Sequence, residues 1–238
     1  MTWSRAGSWA RCVVVLATSL AAVACSGTPT TEPASESAPG SSSAAPSGTV
    51  LEGRIVGDAD HSGYTVEVPD GWSTEDGGFM VQRGPSVLGL SVWDVEIVPA
   101  HPCRWRGIVN DAGSTVDDLV DLLVSQPLRD PTEPVDVTLA GHAGQYLELS
   151  VPDGWVVTGD GEFEGCDSGG DGFADFVSWW GRDSGERYQQ VAGQVDRIWV
   201  LDVDGQTLLV DATYSPDVSA ADLEELDQVV GSLRFAEA

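Results

Sequence analysis

The sequence predicts an α+β fold: a mostly antiparallel sheet flanked by two or more helices. Three observations carry that expectation. Residues 195–203 and 206–214 alternate apolar and polar side chains on either side of Asp204-Gly205, the dipeptide suited to a two-residue hairpin turn. Several shorter runs alternate with period two between breaks rich in Gly, Pro and Asp. Two further stretches place apolar residues at helical spacing behind a Ser and an acid-rich first turn.

The elements follow in chain order. Leu51 and Ile55 give 50–56 the pattern of an edge strand, and 64–68 alternates strictly before the turn Pro69-Asp70-Gly71. A short strand is expected at 79–83 and a long one at 87–98, buried toward one side. Ser114-Thr115-Val116-Asp117 matches a capping box. Behind it, Val116, Leu119, Val120, Leu122, Leu123 and Val124 form a helical stripe that Pro127 stops. Strands at 135–139 and 145–151 bracket Gly141-His142-Ala143-Gly144, residues 153–172 read as a Gly- and Asp-rich loop, and 176–180 as a short strand. After the Asp204-Gly205 hairpin and Pro216, Ser219 caps a second helix with Leu223, Leu226, Val229, Val230 and Leu233 at helical spacing. Val-Pro-Asp-Gly-Trp occurs at 68–72 and again at 151–155; the flanks do not sustain a repeat, so these are two strand-exit turns.

Two of these segments carry a resemblance. Tyr64-x-Val66-x-Val68-Pro69-x-Gly71-Trp72 is similar to the opening strand of Mog1/PsbP-like domains. Val230-Gly231-Ser232-Leu233-Arg234-Phe235 resembles the end of their C-terminal helix. Actinobacterial lipoproteins of this fold are the nearest in character. The resemblance implies a curved antiparallel sheet between helices, and a binding or assembly module without catalysis.

Residues 1–24 read as a signal peptide. Arg5 and Arg11 supply the positive start, and an apolar run from Cys12 to Val23 is too short to span a bilayer. The run ends in Ala22-Val23-Ala24-Cys25-Ser26-Gly27, which resembles a bacterial lipobox and implies acylation (a palmitate-type anchor) at Cys25. Ala22-Val23-Ala24 also satisfies a plain Ala-x-Ala cleavage site. Residues 25–48, which begin with that cysteine, are otherwise a Ser/Thr/Pro/Ala-rich linker with no aromatic and no large aliphatic residue, so disorder is expected there. Residues 49–238 form the expected globular domain, long enough for one core.

Composition narrows the function classes. The 38 acids face 11 basic residues, all Arg, for a formal charge of −27. The absence of Lys excludes lysine nucleophiles and P-loop lysines. The acidity excludes nucleic acid as a partner, since phosphates are neutralised by clustered cations. A composition rich in Ala, Gly, Val, Asp and Arg without Lys resembles that of high-GC actinobacterial proteins.

Cys12 leaves with the signal and Cys25 is the lipid site, so Cys103 and Cys166 remain for a disulfide in an oxidising compartment. Such a bridge would add about 3–4 kcal/mol by constraining the unfolded chain. No catalytic motif accompanies His61, His101 or His142. Asp160, Glu162, Glu164 and Asp171 have the spacing of a calcium loop, with Gly165 at its sixth position, but glutamates replace its usual aspartates and no helices flank it. A solvated acidic loop is the simpler reading. Arg104, Trp105, Arg106, Trp179 and Trp180 are candidate binding residues, because aromatic–arginine surfaces favour recognition through stacking and cation–π contact.

The expectation is a non-catalytic, lipid-anchored module on the outer face of the cell membrane. It would need no cofactor and would bind an envelope protein or cell-wall component. The alternative is an envelope hydrolase or small-ligand carrier with a site at His101, Asp111 and the 160–171 loop.

Overall fold

The computed structural model describes residues 48–236, apart from 58–62, 76–77, 79, 84–86, 160, 171 and 183–184. The signal, Cys25 and nearly all of the linker lie outside the described residues. The described chain forms β1 (Thr49–Val56), β2 (Gly63–Val68), β3 (Trp72–Glu75), β4 (Met80–Arg83), β5 (Leu88–Trp93), β6 (Val95–Pro99), β7 (Val109–Asp111), α1 (Val116–Ser125), β8 (Val135–Leu139) and β9 (His142–Ser150). These are followed by β10 (Val177–Gly181), β11 (Glu186–Tyr188), β12 (Val195–Val203), β13 (Gln206–Tyr214), α2 (Ala220–Gly231) and β14 (Arg234–Phe235).

The strands build two sheets. The larger runs β14-β2-β1-β5-β13-β12-β9-β8, with the β3–β4 hairpin joined to β5 through β4. Its pairs are antiparallel except β1 with β5, which run parallel through Ile55↔Val92 and Val56↔Trp93. The smaller sheet, β11-β10-β6-β7, is antiparallel throughout. The α+β expectation therefore holds. The edge-strand expectation for 50–56 does not: β1 lies inside the large sheet, between β2 and β5.

The expected long strand at 87–98 divides in two. β5 is buried along its whole length and belongs to the large sheet, whereas β6 belongs to the small one. Asp94 makes the break. Its N–H donates to Val56 O (2.8 Å), its carbonyl accepts from Arg182 N (2.9 Å), and its carboxylate accepts from Arg182 Nε (2.9 Å) and Nη2 (3.2 Å). A residue whose backbone and side chain are both engaged this way leaves one ladder and enters another.

The hairpin turn is as expected. Asp204 (φ 54°) and Gly205 (φ 90°) both adopt positive φ, as a type I′ turn requires, and Val203 pairs with Gln206. Alternation along β12 and β13 then splits the core. On one face Leu201, Leu208, Val210 and Ala212 pack with Leu226, Val229 and Val230 of α2 and with Leu233. On the other, Ile198, Val200 and Leu209 pack with Leu119, Val120 and Leu123 of α1 and with Val95, Val98 and Trp179 of the small sheet.

Both helices start on caps. Ser219 and Asp222 form the reciprocal capping box at α2. At α1 the cap falls one residue later than expected, on Thr115, whose Oγ1 accepts from Asp118 N (3.2 Å). Gly113 at φ 76° turns the chain just before it, so Thr115 and not Ser114 is the last extended residue.

Candidate binding surface around the disulfide

The Cys103–Cys166 bridge forms, with the two Cα atoms 4.5 Å apart. It joins a short 3-10 turn, Pro102–Arg104, to the long loop before β10. His101 caps that turn: its Nδ1 accepts from Cys103 N (3.2 Å). The loop folds back on itself through two isolated bridges, Val157↔Phe163 and Ser168↔Ala174. It buries Phe163 and Phe176 with Trp155 and Val157 around the disulfide, forming a third apolar cluster.

The turn and the loop are tied together by more than sulfur. Asp167 N donates to Cys103 O (3.0 Å), and the Asp167 carboxylate accepts from Arg106 N (3.1 Å). Arg104 donates to Gly165 O (2.5 Å) and lies 3.7 Å from the Asp167 carboxylate. Its charge is thus spent on the loop. Trp105 Nε1 donates to Asp175 O (3.1 Å), and its ring meets Trp180 edge to face at 6.0 Å. Arg106 lies over the Trp105 ring, 5.3 Å from its centroid. Arg106 is exposed, Trp105 and Trp180 half-buried.

Five candidate binding residues were expected, and the structure brings four together. Trp179 is the exception, because it is fully buried among Trp93 and the α1 core. Alternation along β10 sends Trp179 into the core and its neighbour Trp180 to the other face, against Trp105.

The residues of the alternative site do not converge. His101 Nδ1 is engaged in its cap, while Asp111 sits at the far end of β7, paired with Ile97, and accepts from Gly113 N (2.9 Å). Of the calcium-spaced residues, Asp160 and Asp171 lie outside the described residues. Glu162 belongs to a tight reversal in which Thr158 N donates to Glu162 O (2.9 Å) and Gly161 N to Thr158 O (3.0 Å). Among the described residues no group of three or more His, Cys, Asp or Glu side chains is placed to hold a metal ion.

A buried ionic cluster lies beside this surface, between the large and small sheets. Asp196 accepts from Arg129 Nη2 (2.5 Å), Gln189 Nε2 (2.9 Å), Arg187 Nη2 (2.9 Å) and Gln194 Nε2 (3.1 Å). Arg187 Nε also donates to Asp211 (2.5 Å), and Arg129 Nη1 to Ser178 Oγ (2.9 Å). Burial alone would raise the Asp196 carboxyl, but the guanidiniums of Arg187 and Arg129 outweigh it and hold it at about 2. For Asp211 burial wins. Arg187 offsets only part of it, nearby Asp196 adds repulsion, and the carboxyl is pushed up to about 7.

Sequence reasoning missed this cluster, although a signal existed. Asp196 shares its strand face with Ile198 and Val200, and Asp211 shares one with Leu209, so both acids occupy inward positions of the hairpin. Arg129 carried no such signal. It is aimed inward by Leu128 (φ 66°) and Asp130 (φ 38°), two non-glycine residues at positive φ on either side of it.

No family model matches the chain, and no curated protein matches it. Among solved structures it is similar to the solution structure of cyanobacterial PsbP (CyanoP) from Synechocystis sp. PCC 6803. The identity is 14%, over 79% of this chain and 94% of that one, with a TM-score of 0.34. The α+β architecture rests on the strand order and helices described above.

Proposed function

We propose that the protein is a lipid-anchored, non-catalytic binding module of the outer face of the cell membrane, presenting the Trp105–Arg106 surface to an envelope protein or cell-wall component. The observation that carries this reading is the state of Arg106. In a chain with 38 acids, no described carboxylate lies within ion-pairing distance of it, and it is stacked on a half-exposed tryptophan. An arginine with no described carboxylate in ion-pairing reach, preorganised on an aromatic ring, is suited to an external acidic or polar group. The disulfide and the Asp167 contacts hold the backbone beneath it, which lowers the entropy lost on binding.

The anchor is read from the sequence at Cys25, and two acyl chains would give stable attachment. The linker would then hold the domain a few nanometres out, by ~5–6 Å times the square root of its length.

Two measurements test the reading. Cells expressing the wild-type chain should incorporate labelled palmitate and place the protein in the membrane fraction, and Cys25→Ala should abolish both. A photo-crosslinker at position 106 should capture an envelope component that Trp179, inside the core, does not reach. Membrane retention of Cys25→Ala, or no envelope adduct from position 106, would overturn the corresponding half.

A further inference from the structure

We infer that the open edge of β7 accepts an extended peptide as a fifth, antiparallel strand of the small sheet, read by charge at both ends. The inference deepens the proposed binding role and names its partner class; it does not depend on the anchor.

β7 is the last strand of its sheet. Ala100 N donates to Ile108 O (2.9 Å) and Ala112 N to Glu96 O (2.9 Å), so residues 108, 110 and 112 bond toward β6. By the alternation of an antiparallel ladder, the N–H and C=O groups of Val109 and Asp111 point the other way, to the open edge. Side chains there are apolar and uncovered: Ile108 is 73% exposed and Val109 49%. Unpaired strand edges are usually blunted by a charge, a proline or a covering loop. Here the charge, Asp111, stands at one end of the edge, and apolar Ile108 and Val109 stand uncovered at the other.

The charges around the edge are asymmetric. Arg106, stacked on Trp105, stands just before β7. Beyond Asp111 opens a depression of ≈ 550 Å³ lined by Asp111, Gly113, Ser114, Asp118, Asp121 and Leu122. One end is therefore cationic and the other anionic. An antiparallel visitor meets the acidic depression with its N-terminal part and Arg106 with its C-terminal part. The matching peptide is basic first, alternating and apolar in its middle, and acidic last, with the charges on the order of five residues apart at ~3.3 Å per residue. Antiparallel pairing is chosen because every pair in this sheet is antiparallel, and that ladder is the more stable per residue.

The test uses the full-length protein and two labelled heptapeptides of one composition, acetyl-Lys-Val-Thr-Val-Thr-Val-Glu-amide and its charge-reversed partner with Glu first and Lys last, read by fluorescence polarisation. The Lys-first peptide should bind about tenfold tighter. Arg106→Glu should remove most of that preference while leaving the melting temperature in place, because the Arg106 side chain makes no described ion pair. Val109→Pro should abolish binding of both peptides, since it deletes an outward N–H where proline is tolerated at an edge. Equal binding of the two peptides, or unaltered binding by Val109→Pro with its fold intact by melting, would overturn the inference. A dimer in sedimentation that Val109→Pro dissolves would also overturn it, in favour of pairing between two copies. If the peptides fail while the position-106 crosslink succeeds, the strand mode alone is wrong; if both fail, so is the binding surface.

Discussion

The ring of Tyr64 lies flat over Gly53, its partner across the β1–β2 ladder, so closely that any β-carbon on Gly53 would overlap the ring. Tyr64 is buried, and its hydroxyl has no hydrogen-bond partner. Burial accordingly pushes the phenol well above its ordinary pKa. The two residues predict opposite outcomes. Gly53→Ala forces the ring from its place and should cost about 1–3 kcal/mol, as overpacking does. Tyr64→Phe keeps the ring, removes a hydroxyl that is desolvated without return, and should be neutral or stabilising by up to about 1 kcal/mol. Urea unfolding of the two variants checks both, and a strongly destabilised Tyr64→Phe would show that the hydroxyl is satisfied.

The disulfide closes a separation of 63 residues and gathers Trp155, Phe163 and Phe176. Reduction, or Cys103→Ser with Cys166→Ser, should lower stability by about 3–4 kcal/mol. The loss should be felt first at the recognition surface, since Arg104, Trp105 and Arg106 take backbone or carboxylate partners from the loop it pins. Thermal unfolding with and without reductant measures the first effect. Amide exchange at 103–108 measures the second, and unchanged protection there would count against the pinning role.

Arg129 is fully buried and bridges Asp196 to Ser178. Arg129→Met would leave Arg187 as the one cation among the described partners of Asp196, beside the neutral donors Gln189 and Gln194, and breaking a buried pair from one side costs about 3–5 kcal/mol. Adding Asp196→Asn should return part of that loss, because the stranded charge is gone. A double-mutant cycle in urea separates the pair from its surroundings. Additive losses would mean that the two side chains do not act together.

How much of this was legible in the sequence depended on whether the signal was local. The Asp204-Gly205 turn, the α2 cap and the apolar stripes of both helices were readable because short-range chemistry decides them. The place of β1 was not: alternation says which face is buried, never which strand lies alongside. The break at Asp94 was hidden because its cause, Arg182, lies 88 residues away. At the surface, Arg104, Trp105 and Arg106 are adjacent in sequence and were visible as a group, whereas Trp179 and Trp180 are alike by composition and are sent to opposite faces by strand alternation, whose inward side only the surrounding fold decides. The inward acids at 196 and 211 could have been flagged from strand alternation, but their arginine partners come from a loop and another sheet.

Asp211 gives the fold a distinctive dependence on pH. Its carboxyl is raised in the folded protein to about 7, from an ordinary value of 3.8. Between those limits the folded state holds a proton that the unfolded chain has released, so stability falls as pH rises. The contribution is complete below pH 3.8 and lost by the time the pH passes 7. Asp196 acts in the reverse sense: held at about 2, it adds stability above 3.8 that is lost as pH falls toward 2. Together they place the site's best pH near 4, with stability falling from there as the pH rises toward 7, by an amount on the order of a few kcal/mol. Asp211→Asn removes the titrating group while keeping the shape. Its unfolding free energy should change less than the wild type's between pH 5 and 8, and the difference between the two curves isolates this site from the general repulsion of so acidic a chain. Parallel curves for the two proteins would mean that Asp211 stays ionised against Arg187 throughout.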